Sequence, residues 1–237
     1  MNPCELVARL NPGSVRLDGG GRGGVPEYTA QDIAAAIGMI GNDPNKPAGD
    51  NERLSFAREI FCAIWWPDGA RLVWRELDAM IAARQFGEWR ERADAMVTAQ
   101  LAVAQAAMRD GADAITQLRR AEVLLRRARD AMWPSLGDES YALTRAAVIE
   151  EMRATRTCPD CNGRGSARAE ELVVVCAGCM GSGRLPVSDA KRARAIQRKE
   201  GAYRNSWRDV YEWTMRLIAD AERDGRAALV DTLGKAA

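Results

Sequence analysis

The chain has 237 residues, 47% of them apolar, with 34 basic and 33 acidic side chains; it can bury a core in one domain or in a domain with a small module, and it is not a wholly basic, histone-like protein. It contains no histidine, which excludes every Ser-His and Cys-His catalytic pair and leaves cysteines and carboxylates as the side chains for any metal site. No apolar run reaches the roughly 18 residues of a membrane helix, and the opening MNPCELVARLNPGS lacks the basic and apolar regions of a secretory signal, so a cytoplasmic protein without membrane contact is expected.

Residues 11–27 (NPGSVRLDGGGRGGVPE) are rich in Gly and Pro without periodicity, and 1–28 is read as a flexible N-terminal arm. Its GGGRGG stretch is not followed by a helix start bearing Lys and Ser or Thr, as a nucleotide loop requires. Thr29 opens a helix, with Asp32 three residues on for a near capping box, and Ile33, Ile37 and Ile40 follow at helical spacing. From 51 to 156 the pattern is almost continuously helical. Leu54, Ala57, Phe61, Ile64 and Trp65 form one stripe, stopped by Pro67. Asp68 caps a second helix carrying Leu72, Val73, Leu77, Met80 and Ile81. A third runs through Trp89, Ala93, Met96, Val97, Leu101, Ala104 and Met108 to Gly111. A fourth carries Ile115, Leu118, Leu125, Ala128 and Met132 before Pro134, and a fifth Tyr141, Val148, Ile149 and Met152. Each stripe predicts the core face of a helical bundle body over 29–156. Arg119, Arg120, Arg126 and Arg127 are read as a solvated face partly balanced by nearby acids.

Four of the six cysteines sit in CPDCNGRG (158–165) and CAGCMGSG (176–183), both Cys-x-x-Cys-x-Gly-x-Gly. Such clustering reads as a metal site in a reducing compartment and not as a disulfide framework. Cys158, Cys161, Cys176 and Cys179 supply four thiolates for one structural Zn²⁺, with no position left open for water. The glycines let the backbone curl around the sulfurs and offer N–H donors. Glu171-Leu172-Val173-Val174-Val175 reads as a strand of a connecting hairpin, and Arg164, Arg168 and Arg184 are near enough in sequence to offset the thiolate charge. The module is placed at 157–185. Cys62 reads as a buried small hydrophobe, and Cys4 belongs to no pattern.

Beyond the module, Ser188 is the expected N-cap of a short basic helix. A break falls at Lys199-Glu200-Gly201, and Asn205 or Ser206 is expected to cap a longer helix reaching about Arg223. Trp207, Val210, Tyr211, Thr214 and Leu217 share one face of it and can pack on Ala190, Ala193 and Ile196 of the short helix. This is the outline of a helix-turn-helix-like pair over 186–225, followed by a tail at 226–237. From Arg184 to Arg208 eight basic residues face only Asp189 and Glu200, an excess of +6 and an electrostatic footprint for double-stranded DNA. Lys191, Arg192, Arg194, Arg198, Lys199 and Arg204 are candidates for phosphates. Asn205, Ser206 and Arg208 are candidates for base edges, with Asp209 and Glu212 beside them. The fold class expected is mainly α: a helical bundle body, a small inserted zinc-binding β-hairpin module and the C-terminal helix-turn-helix-like pair.

Three stretches, in their order, carry a family resemblance: MNPCELVARLNPGS with the later Thr-Ala-Gln-Asp-Ile-Ala-Ala-Ala-Ile-Gly-Met at 29–39, the paired cysteine knuckles, and the basic helix after Pro186 followed by Trp207, Val210 and Tyr211. Together they resemble the late-gene transcription antitermination protein Q of lambda-like phages. The resemblance implies a non-enzymatic protein of the bacterial host cytoplasm that binds a DNA element at a late promoter. It further implies loading onto paused host RNA polymerase through the flap region and sigma factor, and readthrough of downstream terminators. By the same resemblance the four cysteines bind zinc and the tail helices dock on DNA. Two other readings compete. One is a zinc-stabilised DNA-binding regulator that does not travel with polymerase. The other is a cysteine-rich chaperone-like module; those proteins usually carry four knuckles and a His-Pro-Asp loop, which a chain without histidine lacks. No small-molecule substrate is expected.

Overall fold

The computed structural model describes residues 29–66, 74–111, 113–154, 158–161, 165–169, 172–181, 183 and 185–236; the predicted arm at 1–28, and Pro67, Asp68, Leu72 and Val73, lie outside them. The described chain is mainly helical.

Helix α1 (Ala30–Met39) begins where Thr29 and Asp32 close a capping box. The Asp32 amide donates to Thr29 Oγ1 at 3.2 Å and the Thr29 amide to Asp32 Oδ2 at 2.8 Å, so two orphan donors are satisfied at once. Helix α2 (Ala48–Trp65) carries the predicted stripe inward. Helix α3 (Trp74–Ala107) is one continuous helix where the sequence pattern predicts two. No proline interrupts it, and a glycine such as Gly87 costs only about 1 kcal/mol in a helix this long. Helix α4 (Ala114–Asp130) packs back chiefly on the distal half of α3, where Ala99, Ala106 and Ala121 are buried.

That pairing corrects part of the predicted core. Val97, Leu101 and Met108 are 49%, 58% and 83% exposed, Ala104 is exposed, and Ile115 on α4 is 65% exposed. The small alanines face the contact. On α3 the larger residues lie on the far side, where no described element covers them; on α4 Leu118 and Leu125 are half-buried beside Ala121, and Ile115 lies off that face.

Helix α5 (Ser140–Arg153) returns to the core with Tyr141, Val148 and Ile149 buried as predicted. Strands β1 (Ser166–Ala169) and β2 (Leu172–Val175) pair antiparallel with Ser166 opposite Val175 and Ala169 opposite Leu172. A short helix α6 (Asp189–Ala195), a single turn α7 (Glu200–Ala202), a π-helical turn (Tyr203–Trp207) and the long helix α8 (Arg208–Ala236) complete the order.

Helix α8 joins two cores. Its first half lies with α2, α3, α5 and α6 around Ile60, Ile81, Val148, Ile196, Trp207 and Ile218. Its second half, predicted as a tail, continues as helix through Ala236 and buries Leu229 and Leu233 against Ile33, Ile37 and Phe61. At the crossing with α2, a β-carbon on Gly225 would lie 2.6 Å from the Ala57 carbonyl oxygen and 2.8 Å from Phe61 Cβ. Gly→Ala in an open helix stabilises by about 1 kcal/mol. Here the overpacking, typically about 1–3 kcal/mol, outweighs that gain. Gly225→Ala is therefore expected to lower the thermal midpoint by several degrees; a raised midpoint would show that the two helices do not cross this closely.

Candidate metal centre and basic segment

The two cysteine knuckles are built alike and interlock. The Cys158 amide donates to the Gly183 carbonyl at 2.9 Å, and the Cys176 amide to the Gly165 carbonyl at 3.0 Å, so each knuckle's last glycine closes the other's first cysteine. Within each knuckle the glycine amide turns onto the second sulfur: Gly165 N–H to Cys161 Sγ and Gly183 N–H to Cys179 Sγ, both 3.3 Å. Gly165 and Gly183 reach these positions at φ +72° and +71°, a left-handed conformation that glycine adopts without strain. A β-carbon on Gly165 would also run into the Gly181 carbonyl. The antiparallel β1–β2 pair lies between the knuckles in sequence.

All four Sγ atoms are buried and lie within 4.8 Å of one another. Cys158 to Cys176 is 3.9 Å and Cys161 to Cys179 is 3.7 Å. A tetrahedral ion with sulfur at about 2.3 Å holds its ligands about 3.8 Å apart, so these separations are compatible with a metal site. Burial opposes ionisation of Cys179, but the Gly183 and Gly181 amides and the neighbouring thiols outweigh it and bring the thiol down to about 7. The Cys179 amide pulls the Cys176 thiol down, but burial and the adjacent thiols leave it at about 11. Cys62 lies outside this cluster in α2; burial, reinforced by Glu59, pushes its thiol to about 12 and keeps it unreactive. Arg164, Arg184, the Arg168 side chain and Cys4 lie outside the described residues.

The basic segment starts as predicted: Ser188 caps α6 through the Lys191 amide. It then departs. The Arg198 amide bonds the Ala193 carbonyl and the Gln197 amide the Arg194 carbonyl, with Gln197 at φ +56°. These are the paired bonds of a Schellman motif with glutamine in place of the usual glycine. The turn is therefore at 196–199, and the helix restarts at Glu200 with Lys199 as N-cap. Asn205 and Ser206 cap nothing. They lie in the π turn, where the Arg208 amide reaches the Tyr203 carbonyl, and Arg204, Asn205 and Ser206 emerge as three consecutive exposed residues between buried Tyr203 and Trp207.

The nine nucleic-acid candidates separate into groups. Arg192 turns inward: its Nη2 donates to Glu151 Oε1 at 2.7 Å and its guanidinium lies over the Tyr211 ring. Arg198 turns inward as well, pairing with Asp138 and donating to Ser140 Oγ at 2.7 Å. Burial raises the Asp138 carboxyl, but Ser140 and Arg198 outweigh it and hold it below the ordinary range. Arg208 pairs with Asp189, and Arg204 with Asp189 and Glu200. Asp209 is taken by Arg92 and the Trp133 indole. Lys191, Arg194 and Lys199 remain exposed without ion pairs among the described residues. The local +6 is thus reduced by Glu151 and Asp138, which no local pattern could supply because they lie 41 and 60 residues away from their partners.

A cleft of about 620 Å³ opens beside the π turn, lined by Arg204, Asn205 and Ser206 on one side and by Arg129 and Asp130 at the end of α4 on the other. No helix among the described residues is long and apolar enough to cross a membrane. Comparison with protein-family models, curated proteins and solved structures finds no match.

Proposed function

We propose that the chain is a zinc-stabilised, duplex-DNA-binding transcription factor, and that its activity is antitermination of late transcription in a bacterial host cytoplasm. The observation that carries this reading is the position of a closed four-cysteine site immediately before α6, the 196–199 turn and the restarted helix. Four thiolates leave a zinc ion no open coordination position, so the ion's contribution is structural and not catalytic. Four thiolates at tetrahedral spacing suit zinc or iron, and the Cys-x-x-Cys spacing of both knuckles is that of structural zinc sites. The helix-turn-helix-like pair would then present Lys191, Arg194 and Lys199 to phosphates, and Arg204, Asn205 and Ser206 to base edges. The ion-paired Arg192 and Arg198 hold α6 and its turn against α5 and take a positioning role. The resemblance to the Q proteins supplies the remaining partners, RNA polymerase at its flap region and sigma factor.

The deciding experiment is transcription with purified polymerase from the chain's own late promoter, with a terminator downstream. Antitermination predicts increased readthrough that depends on the upstream DNA element. DNA binding without readthrough assigns the simpler regulator, and no DNA binding at low salt removes both.

A further inference from the structure

The outer face of α4 carries a cluster of exposed arginines. Arg119, Arg120, Arg126 and Arg127 are exposed, and none forms an ion pair with a described residue. At 100° per residue they fall within one arc of about 120° on the side opposite Leu118, Ala121 and Leu125, which face α3. They make two rows, 119 with 126 and 120 with 127, each about 10 Å long. Glu122 and Asp130 are the carboxylates of this helix, and neither pairs with them. Arg129 and Asp130, at the end of the helix, line the cleft whose other wall is Arg204, Asn205 and Ser206, and Asp130 falls within the arginine arc.

We infer that this face binds the phosphate backbone of the same DNA duplex that the π turn meets, an inference that rests on the DNA-binding reading above. Two observations favour a polyanionic backbone. Guanidinium groups match phosphate oxygens in pairs, and duplex DNA offers one charge per about 1.7 Å along its axis, enough to engage both rows at once. A lipid surface fits less well, because the apolar side of α4 is spent on α3 and its exposed Ile115, Val123 and Leu124 point in different directions.

The test compares two variants of the full, zinc-loaded chain on a mixed-sequence 30-base-pair duplex over a salt series. Arg119→Ala/Arg120→Ala/Arg126→Ala/Arg127→Ala alters only exposed side chains and keeps good helix formers, so circular dichroism should be unchanged. It is expected to weaken binding at least tenfold near 0.1 M salt and to flatten the log–log salt slope by about 2–4. Lys191→Ala/Arg194→Ala/Lys199→Ala tests the α6 contact separately. Loss in both variants supports both surfaces. An unchanged slope in the α4 variant with loss in the α6 variant overturns the inference and leaves the reading of α6 standing. The reverse supports the α4 surface and overturns the placement of DNA on α6. Retention of the wild type on phosphatidylserine vesicles but not on the duplex overturns both.

Discussion

Replacing Cys161 with serine is expected to abolish stoichiometric metal binding and unfold the segment between 157 and 185, while the helical core stays folded. The buried side chains that cluster in this segment are the four cysteines themselves. The apolar Val174 and Val175 of β2 are 41% and 71% exposed. Among the described residues nothing apolar therefore replaces a bound ion, and zinc stabilises comparable modules by about 10–16 kcal/mol. Cys161 is also the sulfur on which the Gly165 amide closes its knuckle, so its loss removes a ligand and a turn together. Metal analysis should find one zinc per wild-type chain and less than a tenth of that in Cys161→Ser after chelation. Limited proteolysis should cut the variant between the knuckles. Binding requires thiolates, and without metal the Cys176 thiol sits at about 11, so zinc affinity should fall as the pH is lowered and protons should be released on loading. Full metal retention in the variant would falsify the four-ligand assignment.

The knuckles were legible in the sequence because their chemistry is local: Cys-x-x-Cys-x-Gly-x-Gly specifies sulfur spacing, backbone conformation and amide donors within eight residues. Thr29 with Asp32 and the Ser188 cap were legible for the same reason. Three features were not. The stripe at Val97, Leu101 and Met108 has the period of a core face, but periodicity does not tell which face meets a partner, and the alanines on the other side allow the closer approach. The turn after α6 was displaced because Gln197, not Gly201, takes the left-handed position. The positive segment looked free because its acids come from α5 and the loop before it. Conversely, the α4 arginines looked balanced by neighbours in sequence that do not reach them. Charge pattern along a chain counts residues; which cations stay available depends on tertiary contacts that bring distant carboxylates to some and not to others.

One such contact sets the second large effect. Arg145 on α5 is buried, and its Nε and Nη2 donate to the two carboxylate oxygens of Asp78 on α3 at 2.5 and 2.8 Å. Its Nη1 donates to Gln85 Oε1 at 2.9 Å; the Gln85 amide donates to Thr214 Oγ1 at 2.8 Å, and that hydroxyl donates to the Val210 carbonyl. The network ties α3 and α5 to the first turns of α8, directly behind the π turn. Removing one partner of a buried pair strands the other charge, which costs about 3–5 kcal/mol. The Asp78 side chain is 26% exposed, so water can relieve part of this, and Asp78→Ala is expected to cost about 2–3 kcal/mol. For a chain of this size that lowers the thermal midpoint by roughly 5–10 °C. The double variant Asp78→Leu/Arg145→Met strands no charge but leaves the buried Gln85 Oε1 without its donor, at about 1–3 kcal/mol, so it should recover only part of the loss. A midpoint for Asp78→Ala equal to wild type would show that the guanidinium does not depend on this carboxylate. If instead the single variant loses duplex affinity at temperatures where it remains folded, the network's second role follows: it fixes the start of α8, and with it the direction in which Arg204, Asn205 and Ser206 face.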